Sequence, residues 1–184
     1  KVPSILGHEI AGEIVAMGNG VTGFLGTLDM AVKDVIAKFT QAGNLDADDI
    51  VILNTPYEGG GSHLSDISLV MPVFDQDTIV GYVVNKAHWS EVGGMDPGSV
   101  TTNSTDIYQE GLHFPCVKLC QKGRMNEALV EMIRANVRLP DMSIGDMWAG
   151  VSALRMGERR LKTLIGKYGR EAVLAAMERL LDYG

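Results

Sequence analysis

Residues 67–88 read Ile67-Ser68-Leu69-Val70-Met71-Pro72-Val73-Phe74-Asp75-Gln76-Asp77-Thr78-Ile79-Val80-Gly81-Tyr82-Val83-Val84-Asn85-Lys86-Ala87-His88. Two runs rich in β-branched and aromatic residues, 67–74 and 78–88, flank the polar triplet Asp75-Gln76-Asp77. That pattern predicts two antiparallel strands joined by a tight turn. Antiparallel pairing brings the open ends of a hairpin side by side. The segment that enters this hairpin carries Gly59-Gly60-Gly61-Ser62-His63-Leu64-Ser65-Asp66, and the one that leaves it carries His88-Trp89. His63, Asp66 and His88, though separated in sequence, are therefore expected to converge at the open end.

Two imidazoles and a carboxylate are a usual ligand set for a borderline divalent ion such as Zn, Mn or Fe(II). Three protein ligands leave coordination positions open, as in a catalytic site. Taken alone, the same residues read equally well as a turn cap at His63 and a hydrogen bond on the sheet surface at His88. Gly59, Gly60 and Gly61 let the backbone pass close to a metal or a substrate, or simply make a flexible loop. No Gly-Lys-Ser/Thr follows them, so a Walker-type phosphate loop is excluded.

Outward from the hairpin, residues 50–53 read as a buried strand and 26–39 as a helix with one apolar stripe, Leu28, Val32, Val35, Ile36 and Phe39. Residues 12–16 read as a short strand before the turn 18–20. Residues 91–106 lack periodicity and read as a functional loop. Residues 113–119 read as a further strand. Asn126 is an expected N-cap for a helix running to Val137. Pro140 is expected to end that region, Ser143 to cap the long helix that follows, and Gly169 to separate it from a last helix, 171–181. The order predicts an α+β fold: an antiparallel, hairpin-rich sheet followed by a C-terminal helical part. One domain is expected over 1–184, mainly β with one helix over 1–122 and helical over 123–184.

Composition narrows the class. The chain has 184 residues, 46% apolar and 21% charged, with a formal net charge of -7. This is a globular composition. Basic residues form no patch, so neither nucleic acid nor an anionic membrane is an expected partner. No apolar run is long enough for a transmembrane helix. Cys116 and Cys120 are expected on one face of a strand, too far apart for an easy disulfide, which suits a reducing cytoplasm.

Four stretches carry a resemblance: 49–66 (DIVILNTPYEGGGSHLSD), 81–98 (GYVVNKAHWSEVGGMDPG), 106–119 (DIYQEGLHFPCVKL) and 134–160 (RANVRLPDMSIGDMWAGVSALRMGERR). Together they resemble the hydantoinase B / 5-oxoprolinase / acetone carboxylase alpha-subunit family, in family order, over about 12–169. The resemblance implies that His63, Asp66 and His88 bind a catalytic divalent metal. It implies a partner, a hydantoinase A-type subunit that uses ATP to phosphorylate the substrate, so that no ATP is bound here. Cyclic-amide hydrolysis is the expected reaction. Carboxylation of a ketone is the alternative, with a small cyclic amide or ketone as substrate accordingly. Family members are longer, which implies that this chain is a fragment. The family also has a further acidic ligand near the N-terminus, for which Glu9 is a candidate.

Other residues have two readings each. Glu91, where the family more often has aspartate, is either an outer partner orienting His88 or a solvated loop acid. Asp106 or Glu110 is a candidate general base toward a water activated at the site, or an ordinary loop acid. His113 is expected to pack on a strand. Arg155, Glu158, Arg159 and Arg160 read as a solvated face or a contact with another polypeptide. The Gly7-His8-Glu9 segment looks like that of zinc alcohol dehydrogenases, but no Gly-x-Gly-x-x-Gly fingerprint follows. A different class of function is a non-catalytic assembly module, in which Met142, Met147, Trp148 and Met156 on the C-terminal helices serve as core or dock a partner. Metal content separates the two classes.

Overall fold

The computed structural model describes residues 27–57, 61 and 63–182. The expected strand 12–16, the turn 18–20, the segment with Glu9, and Gly59 and Gly60 lie outside the described residues. The architecture is α+β. Helix α1 (Leu28–Val35), which continues as a π-helical turn (Ile36–Thr40), is followed by strands β1 (Ile50–Leu53), β2 (Asp66–Asp75), β3 (Thr78–His88), β4 (Val117–Gln121) and β5 (Arg124–Met125). Helices α2 (Glu127–Asn136), α3 (Pro140–Tyr168) and α4 (Arg170–Asp182) complete the chain. The strands form one antiparallel sheet in the order β3-β2-β1-β4-β5.

The hairpin forms as its sequence predicts. Asp75 pairs with Thr78 across a two-residue turn, and Asp66 pairs with His88 at the other end. Gln76 takes a φ of 56°, the left-handed backbone that two-residue hairpin turns need at their first central position. A bulge between Val73 and Phe74 shifts the register near the turn only, so alternation runs unbroken to the open end. Odd-numbered Ile67, Leu69 and Met71 face α3, where they join Met147, Val151 and Leu154. Val70, Tyr82 and Val84 face α1 and join Ala31, Val32 and Val35. The sheet is thus the middle of three layers, which explains why β1 is buried along its whole length. A third cluster, Val73, Val80, Leu161, Val173 and Met177, closes the turn end against α3 and α4.

Several local expectations are corrected. The strand expected over 113–119 begins only at Val117, because Pro115 has no N–H to give a ladder and Cys116 has a φ of 54°. The two cysteines therefore do not share a face: Cys116 joins the α1 side and Cys120 the α3 side, and neither is in a disulfide. Asn126 caps α2 as expected, its side chain accepting from Leu129 N. Pro140 starts a helix instead of ending a region: it occupies the first turn of α3, where its missing N–H costs nothing. Ser143 lies one turn further in and is buried; its Oγ donates to the Glu91 carbonyl at 2.7 Å. Gly169, with a φ of 85°, separates α3 from α4 as predicted. Asp49 is fully buried and pins the β4–β5 turn, accepting from Lys122 N at 2.7 Å and pairing with Lys118 Nζ at 2.7 Å. Met147 is core, whereas Met142, Trp148 and Met156 are exposed. No helix among the described residues is long and apolar enough to cross a membrane.

Leu161 tests the turn-end cluster. Leu161→Ala should cost about 2–5 kcal/mol by urea unfolding, the usual range for a buried leucine. A loss under about 1 kcal/mol would mean that α3 and α4 do not pack on the hairpin as described.

Candidate metal centre

Strand alternation places Asp66 and His88 on the α1 face of the sheet, because each is an even number of residues from Val70 and Val84. His63 reaches them from the preceding turn, which is closed by Asp66 N donating to the His63 carbonyl at 3.1 Å. The Ser65 carbonyl accepts from Trp89 N at 2.8 Å and so fixes the residue after His88. Trp89 itself is buried in the α3-side core. The three expected residues therefore meet, each held by backbone hydrogen bonds.

His63 Nε2 lies 3.0 Å from His88 Nδ1, His88 Nδ1 lies 3.0 Å from Asp66 Oδ1, and His63 Nε2 lies 3.3 Å from the same oxygen. Ligand bonds of about 2.0–2.2 Å put neighbouring donors about 2.8–3.1 Å apart at octahedral cis positions and about 3.3–3.6 Å apart in a tetrahedron. The observed triangle suits a small divalent ion in either geometry. Among the described residues this is the one group of three or more His, Cys, Asp or Glu side chains with donor atoms so close together. The carboxylate is buried, while the His63 and His88 side chains are 34% and 46% exposed, which leaves the open side of the triangle facing solvent. Neither outer ring nitrogen has a protein partner among the described residues. The general expectation that metal-binding imidazoles donate their other N–H to a protein acceptor is not met among the described residues.

Lys86 is an unforeseen member of the surroundings. It shares the His88 face of β3, is buried, and donates to Thr27 Oγ1 at 2.8 Å. Burial lowers its pKa, and the charge of Asp66 offsets part of that shift. Its signal in the sequence was a lysine in an apolar strand at the spacing that shares a face with His88. A second unforeseen residue is Asn54, at the end of β1. It is buried, and its side-chain amide makes three hydrogen bonds to loop backbone.

The other candidates lie elsewhere. Glu91 is neither a partner of His88 nor solvated. It is fully buried, Oε1 accepts from Arg138 Nη1 at 2.6 Å, and Oε2 accepts from Arg138 N and Leu139 N at 2.9 and 3.0 Å. It anchors the entry of α3 to the segment after β3. Asp106 is exposed and caps a short turn by accepting from Tyr108 N. Glu110 accepts from Ser104 Oγ at 3.2 Å. Neither belongs to the ligand cluster. His113 stacks on Tyr108 with ring centroids 5.2 Å apart. Arg155 joins the Asp48 turn and Glu158. Gly61 sits where a Cβ would lie 2.8 Å from the Asn54 carbonyl oxygen, so close backbone approach does require glycine there. A cavity of about 170 Å³ separates β3 from α3, between Asn85, Ala87, Asp146, Ala149, Gly150 and Ala153, and reaches Lys86 and His88.

Comparison with known proteins adds the family context. The hydantoinase B/oxoprolinase family model matches residues 5–184. An uncharacterized protein of Methanocaldococcus jannaschii is 40% identical over 173 residues, 94% of this chain and 31% of its own length. The putative B-type component of a D-/L-hydantoinase from Pseudomonas sp. (strain NS671), named as a subunit, is 37% identical over 136 residues, 73% of this chain and 23% of its own. The crystal structure of ATP-dependent caprolactamase from Pseudomonas jessenii superposes with a TM-score of 0.77 at 30% identity, covering 86% of this chain and 27% of that one. A nucleotide-free acetone carboxylase structure superposes with a TM-score of 0.78 at 21% identity, covering 84% of this chain and 20% of that one, which is a likeness of fold alone. The chain thus spans less than a third of the length of each of these relatives.

His88→Ala is the direct check on the triangle. His88 ends an edge strand and its ring is exposed, so circular dichroism and melting should stay close to the parent. Metal content after loading with Zn²⁺ or Mn²⁺ should fall to roughly a tenth or less, because a ligand has been removed. Parental metal content in this variant would exclude His88 as a ligand.

Proposed function

We propose that this chain, which belongs to the hydantoinase B/oxoprolinase family, is the metal-bearing catalytic part of an ATP-dependent cyclic-amide hydrolase. The observation that carries the reading is the convergence of His63 Nε2, Asp66 Oδ1 and His88 Nδ1 within 3.3 Å of one another on a rigid hairpin end. A divalent ion bound there would supply Lewis acidity toward a carbonyl oxygen and toward water.

The protein's own part is positional. Asp66, buried beneath both rings, offers a fixed negative charge. His63 and His88 must present lone pairs inward to bind an ion, and each must be neutral to do so. The exposed side of the triangle admits a small substrate. Lys86 lies buried on the same face, where the charge of Asp66 offsets part of the desolvation that lowers the lysine's pKa.

The names of the relatives favour hydrolysis over carboxylation. The hydantoinase component and the caprolactamase are 37% and 30% identical to this chain. Acetone carboxylase shares the fold at 21% identity, which gives no chemical argument. The relative named as a subunit supports a second polypeptide. We assign ATP use to that partner, of hydantoinase A type, and place both in a reducing cytoplasm, which suits two cysteines that form no disulfide.

Co-expression with the ATP-using partner tests the assignment. The pair should open a cyclic amide such as a hydantoin or lactam in a reaction that needs ATP and a divalent ion. The chain alone should not turn over ATP. ATP hydrolysis by the isolated chain would overturn the division of labour, and metal-independent ring opening by the pair would overturn the catalytic role of the triangle.

A further inference from the structure

Asn54 follows the last residue of β1 and is 2% exposed. Its Nδ2 donates to the Leu64 carbonyl at 2.7 Å and to the Leu112 carbonyl at 2.8 Å. Its Oδ1 accepts from Phe114 N at 2.7 Å. A backbone N–H can only donate, so Phe114 fixes the carbonyl end of the amide and leaves the NH₂ end for the two carbonyls. The backbone of Asn54 adds a bond from its N–H to the Phe114 carbonyl at 3.3 Å. The carboxamide uses both of its N–H donors and one acceptor lone pair, buried where water cannot substitute.

One of these bonds, to the Leu64 carbonyl, holds the turn that carries His63 and Asp66, and the others tie that turn to the 112–114 segment. Leu64 stands between His63 and Asp66, its side chain fully buried. Clamping its carbonyl fixes the plane of the peptide between the two ligands. From there Asp66 N returns to the His63 carbonyl, and the Ser65 carbonyl receives Trp89 N beside His88. Gly61 rests against the Asn54 carbonyl from the other side. One side chain just past a central strand thus anchors the turn whose backbone bonds reach all three ligand positions. It touches neither the ligand atoms nor the open side of the triangle.

We infer that Asn54 is a positioning residue: it seats the 61–66 turn so that His63 and Asp66 meet His88 in metal-binding geometry. The inference rests on the reading of the triangle as a metal site. No distributed alternative serves the Leu64 carbonyl, because Asn54 Nδ2 is the donor to it among the described residues. Removing that donor frees the turn to rotate, and His63 loses its spacing from the strand-held Asp66 and His88 before the sheet loses its packing.

The test uses Co²⁺ as probe, read by its visible absorption and by competition for its Kd, beside the melting temperature of the metal-free chain. Asn54→Asp keeps shape and the acceptor for Phe114 N but loses both donors. Gly61→Ala perturbs the backbone of the same turn, where a Cβ would lie 2.8 Å from the Asn54 main-chain carbonyl oxygen. Leu161→Ala, in the turn-end cluster, is the stability control. Both loop variants should weaken Co²⁺ binding about 10–100-fold, the range for residues that orient ligands, and should change its absorption spectrum. Leu161→Ala should lower the melting temperature with the parental Kd and spectrum. If Asn54→Asp fails to fold, Asn54→Ser, which removes the carboxamide without burying a charge, decides by the same Co²⁺ Kd and spectrum. Parental Co²⁺ affinity in the folded loop variants, with His88→Ala still losing the ion, would overturn the positioning role and leave the metal site standing. Absence of Co²⁺ binding by the parent would overturn both.

Discussion

The pairing of Asp66 with His88 across the open end of the β2–β3 hairpin is the constraint on which the candidate site depends. A pair of directly opposed residues in an antiparallel ladder shares a face and lies within side-chain reach. The ladder runs in register from its bulge near the turn to this pair, so a one-residue slip anywhere along it would send Asp66 and His88 to opposite faces. The core forbids that slip. Ile67, Leu69 and Met71 must meet α3, and Val70, Tyr82 and Val84 must meet α1. Apolar burial on both sides of the sheet thereby fixes the geometry of a polar cluster that contributes little to stability itself.

Around that pair the fold supplies support in proportion to distance. The tight turn 63–66 brings in the second imidazole, Asn54 ties the turn to β1, and the Ser65 carbonyl ties it to the residue after His88. Further out, the buried Glu91 carboxylate pairs with the exposed Arg138 guanidinium and joins the segment after β3 to the start of α3. Breaking such a pair on one side leaves a buried charge without compensation, so this joint belongs to the fold and not to the chemistry. The side of the triangle away from these supports is open, which separates the rigid half of the site from the half available to a substrate.

The parts legible in the sequence were those encoded by neighbours. The hairpin showed itself through β-branched runs around Asp75-Gln76-Asp77. The convergence of His63, Asp66 and His88 followed from the pairing rule, and the α2 cap from Asn126. What stayed hidden was set by partners remote in the chain. Glu91 meets Arg138 across a gap of 47 residues, and nothing local to either announces the pair. Pro140 reads as a stop and as a start with equal local sense; only the tertiary anchor at Glu91 decides for a start. Cys116 left the strand because of its positive φ, a backbone state that no side-chain pattern encodes. Asn54 lies just past the strand read over 50–53, and its three side-chain hydrogen bonds go to residues 10, 58 and 60 positions away, which no local pattern encodes.

The most direct measurement is anomalous diffraction from crystals of the chain loaded with Zn²⁺ or Mn²⁺, collected on both sides of the metal absorption edge. A single strong anomalous peak should lie about 2.0–2.2 Å from His63 Nε2, Asp66 Oδ1 and His88 Nδ1 together. A loaded crystal with no peak at this triangle, or with its ion held by other residues, would contradict the account.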